Sequence, residues 1–396
     1  MGAAGGVAAL STLTITGNDI SVGSIGASGI AGVTGATALT ASTAGADAGE
    51  IIFTGTNYNA NAQTYVATSG NTLQVNSGAG TTFASSADAI RFGNAADANG
   101  GTLQLGNGSD LTVSTANGTI DAFGGVRGHS AEAVTLNAGT STISVGAIGN
   151  ADEVGAVSLT ASTTTLRGNI RTAEAAGNNV TVTGALTLTG NTSIDANRST
   201  NKGDITITGA TTATGLNVDL LGKAISTGAI TTTGGANQAG GTVTITASST
   251  VSAGAITTSG GTASAGNPGR NAGNLTINAG AAVTSLGTVT ASGSAGVTTG
   301  DRAGGNGGTV SITAAGGIAA VAMTARAARK AGSFITRCRW ATGCSDGPLL
   351  PIASISKSLP EKAAAAIAAN RRITNSGSRA SLTVMPCARP RCPSHC

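Results

Sequence analysis

The sequence predicts an all-β chain that coils into a right-handed parallel β-helix, a solenoid, followed by a mostly disordered basic tail. Three observations favour this fold class. Glycine accounts for 62 of the 396 residues, whereas the chain has only one Trp, two Tyr and five Phe. Short segments that alternate aliphatic and hydroxyl residues recur every few tens of residues, which is typical of a solenoid. Between these segments no helical period of 3.6 residues appears.

The same composition excludes several other classes of protein. A large round core usually draws on many aromatic side chains, which are scarce here. Disordered chains are charged and poor in β-branched residues, whereas only 10% of these residues are charged. Glycine shows no three-residue period and proline occurs only seven times, so a collagen helix is excluded.

A break in composition after Ala325 predicts two regions. Residues 1–325 contain 58 glycines, one proline and no cysteine, with nine basic and fifteen acidic residues. Residues 326–396 contain six prolines, all five cysteines, twelve basic and two acidic residues. The net charge of +4 therefore describes neither region, because the basic character belongs to the tail.

The repeats of residues 1–325 carry the prediction of strands. In each repeat two aliphatic residues flank a polar one, which is the period-two pattern of a half-buried strand. From residue 103 onward the spacings between these triplets run from 23 to 38 residues. The triplets are Leu13-Thr-Ile15, Leu103-Gln-Leu105, Val134-Thr-Leu136, Val157-Ser-Leu159, Val180-Thr-Val182, Ile205-Thr-Ile207, Val243-Thr-Ile245, Leu275-Thr-Ile277 and Val310-Ser-Ile312.

A second element follows the triplet in most repeats, with a glycine between two aliphatic residues. Examples are Ile225-Ser-Thr-Gly-Ala-Ile230 and Val251-Ser-Ala-Gly-Ala-Ile256. Glycine suits a corner where a side chain would collide with the neighbouring coil. Each repeat is therefore predicted to be strand, glycine corner, strand and loop. Ten to fourteen coils would stack about 4.8 Å apart around an interior too narrow for aromatic rings, with the right-handed sense that parallel crossovers favour.

The stretch from about 38 to 100 is less regular and holds most of the aromatic residues. Strands are predicted at Ile51-Ile-Phe53, Thr64-Tyr-Val66, Leu73-Gln-Val75 and Ile90-Arg-Phe92. Two interpretations stay open for this stretch. Either the coils continue with larger side chains, or a short hairpin protrudes.

Three repeats resemble those of filamentous-haemagglutinin-like exoproteins of Gram-negative bacteria, and of other autotransporter-type surface proteins. They are Gly241-Thr-Val-Thr-Ile-Thr-Ala247, Asn274-Leu-Thr-Ile-Asn-Ala279 and Gly308-Thr-Val-Ser-Ile-Thr-Ala314. The resemblance covers about residues 100–320. It implies a long secreted β-helix that is exported through an outer-membrane pore and adheres to host or bacterial cell-surface molecules, glycans among them. The family's secretion domain and leader are not recognisable, so the chain is expected to be a piece of the shaft.

The sequence contains few candidate catalytic residues. Only His129 and His395 could act in a Ser-His-Asp or Cys-His system, and His129 lies in a glycine-rich loop where an exposed side chain is expected. A carbohydrate-active β-helix enzyme would need grouped carboxylates with a basic partner or Ca²⁺. Two groupings occur: Asp152-Glu153, and Asp195 with Arg198, Lys202 and Asp204.

The sequence signals for phosphate, metal and nucleic-acid binding sites are equally weak. The stretch Gly300–Gly308 lacks the Walker signature and leads into a strand instead of a helix. Thr-x-Thr rows such as 242–246 would bind ice if they formed a regular array, but the unequal loop spacings argue against one. In the tail, zinc-site spacing occurs only in the terminal cluster of Cys387, Cys392 and Cys396, whereas Cys338 and Cys344 have five residues between them and supply no second pair of the kind that zinc sites prefer.

The tail itself has two interpretations. A short helix is predicted at 358–372, where a Ser-Leu-Pro-Glu start precedes a run of alanines. The change of composition in mid-repeat also suggests out-of-frame translation of a repeat gene.

The sequence therefore predicts a non-enzymatic surface adhesin with no catalytic, cofactor-binding or metal-binding residues. No cofactor, no nucleic-acid partner and no transmembrane segment are expected, since no run approaches the roughly 18 apolar residues that a membrane helix needs. The expected location is outside the cell or on the bacterial surface. Two alternatives stay open, a carbohydrate-active β-helix enzyme (a polysaccharide lyase or hydrolase) and a self-assembling surface filament.

Overall fold

The regular structure of the described part of the chain is entirely β. The structure, a computed structural model, describes residues 8–42, 49–67, 72–94, 101–196, 203–297, 303–319, 322–327 and 380–384. Within these residues all regular secondary structure consists of β-strands. The chain forms two compact units: unit 1 is Met1–Ile230 with Thr246–Ser248, and unit 2 is Thr231–Ile245 with Ser249–Cys396.

The strands are short, as expected for coils that turn every few residues. Unit 1 contains β1 (Leu13–Gly17), β2 (Ile20–Val22), β3 (Thr37–Ala41), β4 (Ile51–Phe53), β5 (Asn57–Asn59), β6 (Gln63–Ala67), β7 (Thr72–Val75), β8 (Thr81–Ser85), β9 (Ile90–Phe92), β10 (Thr102–Leu105), β11 (Leu111–Thr115), β12 (Ile120–Ala122), β13 (Val126–Arg127), β14 (Val134–Asn137), β15 (Thr142–Val145), β16 (Val157–Leu166), β17 (Ile170–Arg171), β18 (Val180–Leu188), β19 (Thr192–Asp195), β20 (Ile205–Ile207), β21 (Thr211–Thr212), β22 (Val218–Gly222) and β23 (Ile225–Thr227). Strands β24 (Ile230–Thr231) and β25 (Val243–Ala247) include residues of both units. Unit 2 contains β26 (Val251–Ala253), β27 (Ile256–Thr257), β28 (Leu275–Ala279), β29 (Val283–Leu286), β30 (Val289–Thr290), β31 (Val310–Ala314), β32 (Met323–Thr324) and β33 (Ala380–Val384).

Each coil of unit 1 has three sides, which we call A, B and C. Strands β5, β8, β11, β14, β20, β23 and the first halves of β16 and β18 stack in parallel on side A. Strands β1, β3, β6, β9, β12, β15, β21 and the second halves of β16 and β18 form side B. Strands β2, β4, β7, β10 and β13, and then β17, β19 and β22, form side C. Unit 1 is therefore a parallel β-helix, as predicted.

Alternation along each strand sends every second side chain into the coil. On side A, Leu111, Val134, Val157 and Val180 follow one another in register and are at most 1% exposed. Burial of such a column removes apolar surface from water and stabilises the coil by about 25 cal/mol per Å². The aliphatic columns therefore hold successive coils together.

Five aromatic rings fill the interior of the coils between residues 51 and 92. Phe53, Tyr58, Tyr65, Phe83 and Phe92 are fully buried, with ring centroids 4.6 to 5.6 Å apart in the contacting pairs. The expectation that the interior is too narrow for aromatic side chains is wrong here. Tyr58 stacks on Phe83, which occupies the paired position in the next coil. The irregular stretch thus continues as coils with larger side chains.

Glycines line the corner between sides A and B, as predicted. A Cβ on Gly209 would lie 2.2 Å from the carbonyl oxygen of Gly184, and a Cβ on Gly228 would lie 2.3 Å from that of Gly209. Gly184 also has a φ of 101°, which L side chains rarely adopt. This corner therefore needs glycine in three successive coils.

The predicted triplets do not all lie on one side. The triplets that begin at Val134, Val157, Val180 and Ile205 stack on side A, but the one at Leu103 lies on side C, and that at Leu13 lies on side B. The reason is that all three sides carry the same period-two alternation. The 31-residue spacing from Leu103 to Val134 is therefore a change of side and not a coil length.

Unit 2 repeats the same order of strands with longer coils. Val251 pairs with Val283, and Leu275 pairs with Val310, 35 residues further along the chain. Glycine-rich loops account for the extra length, and their backbones hydrogen-bond from coil to coil; Gly260 N–H, for example, donates to Ser292 O at 2.9 Å. These spacers are therefore ordered layers rather than simple turns.

The tail contributes one described strand. Residues of β33 pair antiparallel with β31, from Ala380 opposite Ala314 to Val384 opposite Val310. The predicted helix at 358–372 and all five cysteines lie outside the described residues. The predicted division at Ala325 stays a prediction.

Candidate functional site

The outer surface of side A carries a continuous column of hydroxyl groups. Strand register places one Thr or Ser of each coil directly above its equivalent in the previous coil, at the strand spacing of about 4.8 Å. The column consists of Thr82, Thr112, Thr135, Ser158, Thr181, Thr206 and Ser226. A second column, two residues further along each strand, contains Ser114, Asn137, Thr160 and Thr183. We call these two columns the hydroxyl face.

The hydroxyl face is uncharged and open to solvent. The first six side chains of the first column are half-buried, and Ser226 is exposed. Among the described residues none of the seven hydroxyls in this column has a hydrogen-bond partner in the chain. Each hydroxyl can donate one hydrogen bond and accept two. The face therefore offers a repeated set of free donors and acceptors.

The outer column of side B differs because it is charged. Arg91, Asp121 and Ser144 stack in register there, and Arg91 Nε lies 3.1 Å from Asp121 Oδ2. Arg167 lies over the ring of Phe123 and donates to Ser144 Oγ at 2.5 Å. Burial raises the pKa of Asp121, and the two nearby arginines oppose that rise. This cluster links four successive coils on the outside of the β-helix.

A buried carboxylate closes the loop before β14. Glu132 is 2% exposed, and its oxygens accept hydrogen bonds from the backbone N–H groups of Gly108, His129 and Ser130, and from Ser130 Oγ. Burial alone would raise the pKa of Glu132, but the bonds from Ser130 and His129 outweigh burial and hold the pKa at about 2. The sequence interpretation missed Glu132, and its only signal is an acid in a loop directly before a strand.

Side-chain oxygens at strand entrances join successive coils. Asp110 Oδ1 accepts the N–H of Ala133, and Asp204 Oδ1 accepts the N–H of Ala224. In both cases the aspartate directly precedes a buried aliphatic residue of one coil. The residue whose N–H it accepts directly precedes the paired aliphatic residue of the next coil. Other contacts of this kind run from Asp19, Asn169, Asn179, Asn191 and Asn274 to the backbone of Glu50, Ser193, Asp204, Asn217 and Thr309. We call them Asx staples.

Of the predicted acidic and basic group at 195–204, the structure describes Asp195 and Asp204, and between them the N–H of Gly203 donates to Ala196 O at 2.7 Å. Asp195 ends β19 on side C, whereas Asp204 is an Asx staple before β20; Arg198 and Lys202 lie outside the described residues. Asp195 is also brought near Asp219 of the next coil, because Ser193 pairs with Asp219 and Asp195 with Leu221. Burial, with a smaller contribution from Asp195, raises the pKa of Asp219. The only sequence signal for this pair is that Asp195 and Asp219 are separated by about the length of one coil.

The remaining candidates do not form a site. Asp152 is exposed and Glu153 half-buried in a loop, and His129 is exposed with its backbone N–H bonded to Glu132. No group of three or more His, Cys, Asp or Glu side chains in the described part of the chain could hold a metal ion. His395 and the cysteines lie outside that part.

Comparison with known proteins finds no matching family model, no matching curated protein and no matching solved structure. In the described ranges no helix has the length and apolarity needed to cross a membrane.

Proposed function

We propose that the chain is a non-enzymatic stalk of a secreted, haemagglutinin-like bacterial surface adhesin. The observation that carries this proposal is the in-register repetition of outward side chains from coil to coil. A ligand that binds weakly to one coil meets the same group again at about 4.8 Å intervals. Several weak contacts on one rigid surface combine into strong overall attachment. A β-helix of this kind suits contact with extended or clustered molecules on a cell surface.

Attachment is measured by coating beads with the purified full chain and counting bacterial or cultured host cells bound under flow. Beads coated with a heat-unfolded sample at equal density are the control. Binding by the folded chain that exceeds this control, and that falls when the chain is added free in solution, is the expected result. Equal binding by folded and unfolded samples would contradict the proposal.

A carbohydrate-active enzyme is the second proposal, and the Asp195–Asp219 pair is the observation in its favour. A carboxyl with a raised pKa beside a second carboxylate is the arrangement that glycosidases use for acid catalysis. Asp219 is exposed, however, on the surface of a sheet. The test is release of reducing ends or unsaturated sugars from a panel of polysaccharides. Turnover that Asp219→Asn abolishes would establish the enzyme in place of the adhesin.

Self-assembly into a surface filament is the third proposal. The antiparallel pairing of β33 with β31 is an example, within one chain, of a strand that adds to the end of a sheet. An exposed edge would let a second chain add in the same way. Light scattering that rises with protein concentration supports a filament. A constant monomeric mass over that range excludes it.

A further inference from the structure

The hydroxyl face remains in register although the coils differ in length. On side A, Val157 follows Val134 by 23 residues, whereas Ile225 follows Ile205 by 20. Those differences fall in the segments outside the strands of side A. The unequal spacings that argued against an ordered array are therefore irrelevant to this face. The outward column runs from Thr82 to Ser226 through seven coils.

The hydroxyls of the first column, together with those of the second column, which Asn137 interrupts, form a two-dimensional lattice. Neighbouring coils are about 4.8 Å apart, and positions i and i+2 on one strand are about 6.8 Å apart. In strands β16 and β18 both positions carry hydroxyls, Ser158 with Thr160 and Thr181 with Thr183. An ice crystal presents an uncharged, fixed lattice of oxygens on this same length scale. Each of those oxygens both donates and accepts hydrogen bonds, as each hydroxyl does.

We propose that the hydroxyl face binds the surface of ice. The first column contains five threonines and two serines and no charged group, so it matches a neutral ligand. Its hydroxyls have no partners within the described chain and are free to replace water in the lattice. Five of the six aromatic rings of residues 1–325 are buried inside the coils, and Phe123 is engaged with Arg167. Sugar-binding sites are usually lined with aromatic side chains, so a glycan surface fits this face less well. Ice binding is independent of the adhesion proposed above.

The test uses the purified full chain and three lysine variants. Thr135→Lys and Thr181→Lys place a bulky charge in the hydroxyl face. Thr165→Lys makes the same change in the outer column of side B, on a residue that is also half-buried. Circular dichroism and thermal unfolding establish that each variant folds. Recrystallisation of polycrystalline ice and the gap between melting and freezing temperatures are then measured against serum albumin at equal concentration.

The expected result is that the native chain and Thr165→Lys both slow crystal growth. Thr135→Lys and Thr181→Lys should need at least about tenfold more protein for the same effect, since the loss of 1.4 kcal/mol in binding corresponds to that factor. If either variant unfolds, Thr135→Val, which keeps the shape and removes the hydroxyl, takes its place. Crystal growth equal to that in albumin would overturn the proposal, as would equal loss in Thr165→Lys. Retention on crystalline cellulose or chitin without an effect on ice would assign the face to a glycan surface instead.

Discussion

The carboxylate of Glu132 accepts a hydrogen bond at 3.2 Å from the backbone N–H of Gly108, 24 residues earlier and on the preceding coil. The same carboxylate also accepts the N–H of His129 at 2.7 Å. One buried acid thus ties a loop to the coil below it. No neutral side chain could accept all of these donors, because only an ionised carboxylate offers two oxygens and no hydrogen.

The first prediction concerns the stability of unit 1 in acid. The pKa of Glu132 is about 2 in the folded chain and about 4.5 in an unfolded one. Its contribution is therefore complete above about pH 4.5 and is lost as the pH falls toward 2. Glu132→Gln should lower the free energy of unfolding at pH 7 by on the order of 3 kcal/mol. It should also flatten the dependence on pH in that window.

Urea unfolding at pH 7, 4 and 3 measures this effect. Asp152→Asn, which changes an exposed acid on a neighbouring loop, is the matched control and should follow the native chain at each pH. A native pH profile in Glu132→Gln would contradict the assignment of acid sensitivity to this carboxylate.

The second prediction concerns polar groups buried in the aliphatic columns. Thr164 is fully buried on side B between Ile143 and Leu186, and its hydroxyl has no hydrogen-bond partner. Thr164→Val should therefore stabilise unit 1 by about 1 kcal/mol, because an unsatisfied hydroxyl is replaced by a methyl group of similar shape. The control is Thr115→Val, which removes a hydroxyl that donates to Gly118 O at 2.5 Å. Opposite changes in the midpoint of thermal unfolding are expected, and a lower midpoint for Thr164→Val would refute the prediction.

The third prediction concerns the corner glycines. Gly209→Ala places a methyl group 2.2 Å from the carbonyl oxygen of Gly184, where neither backbone can move without disturbing the stacked coils. Gly190→Ala puts the same group into open space, with no atom within 4 Å. We expect Gly209→Ala to lower stability by about 2 kcal/mol or more and Gly190→Ala to change it by less than about 0.5 kcal/mol. Denaturant midpoints of the two variants provide the measurement, and equal midpoints would exclude a steric role for the corner.

Period-two alternation was sufficient to predict the strands and the parallel β-helix, because a strand with one buried face must alternate. The same alternation could not tell which side of the coil a strand occupies. Leu103 and Val134 therefore seemed to be equivalent positions one repeat apart, although they lie on sides C and A. Register between coils is a property of the stacked backbone and appears only when the strands are paired.

Contacts between coils were the main features that the sequence could not provide. Asp195 and Asp219 are distant in sequence and become neighbours only because β19 and β22 stack. Glu132 and Gly108 meet for the same kind of reason. The sequence left open whether the coils continue with larger side chains from about 38 to 100, because period-two alternation does not show how rings of successive coils pack against each other. In the structure, Tyr58 and Phe83 occupy paired positions in neighbouring coils, and their rings stack with centroids 4.6 Å apart.

The last prediction distinguishes a structural from a ligand-binding role for Asp204. Its Oδ1 accepts the N–H of Ala224 at 3.1 Å, and its own N–H donates to Asn179 Oδ1 at 2.8 Å. Asp204→Ala removes the first bond alone and should cost about 1 to 2 kcal/mol of unfolding free energy. Asp204→Asn keeps an oxygen in the same place and should remain within about 0.5 kcal/mol of the native chain, since only the charge is lost. Urea unfolding measures both variants.

If Asp204→Asn were as unstable as Asp204→Ala, the charge of Asp204 would matter and the staple would be more than an oxygen acceptor. If Asp204→Asn instead kept full stability but lost Ca²⁺ or polysaccharide binding that the native chain possessed, Asp204 would belong to a binding site.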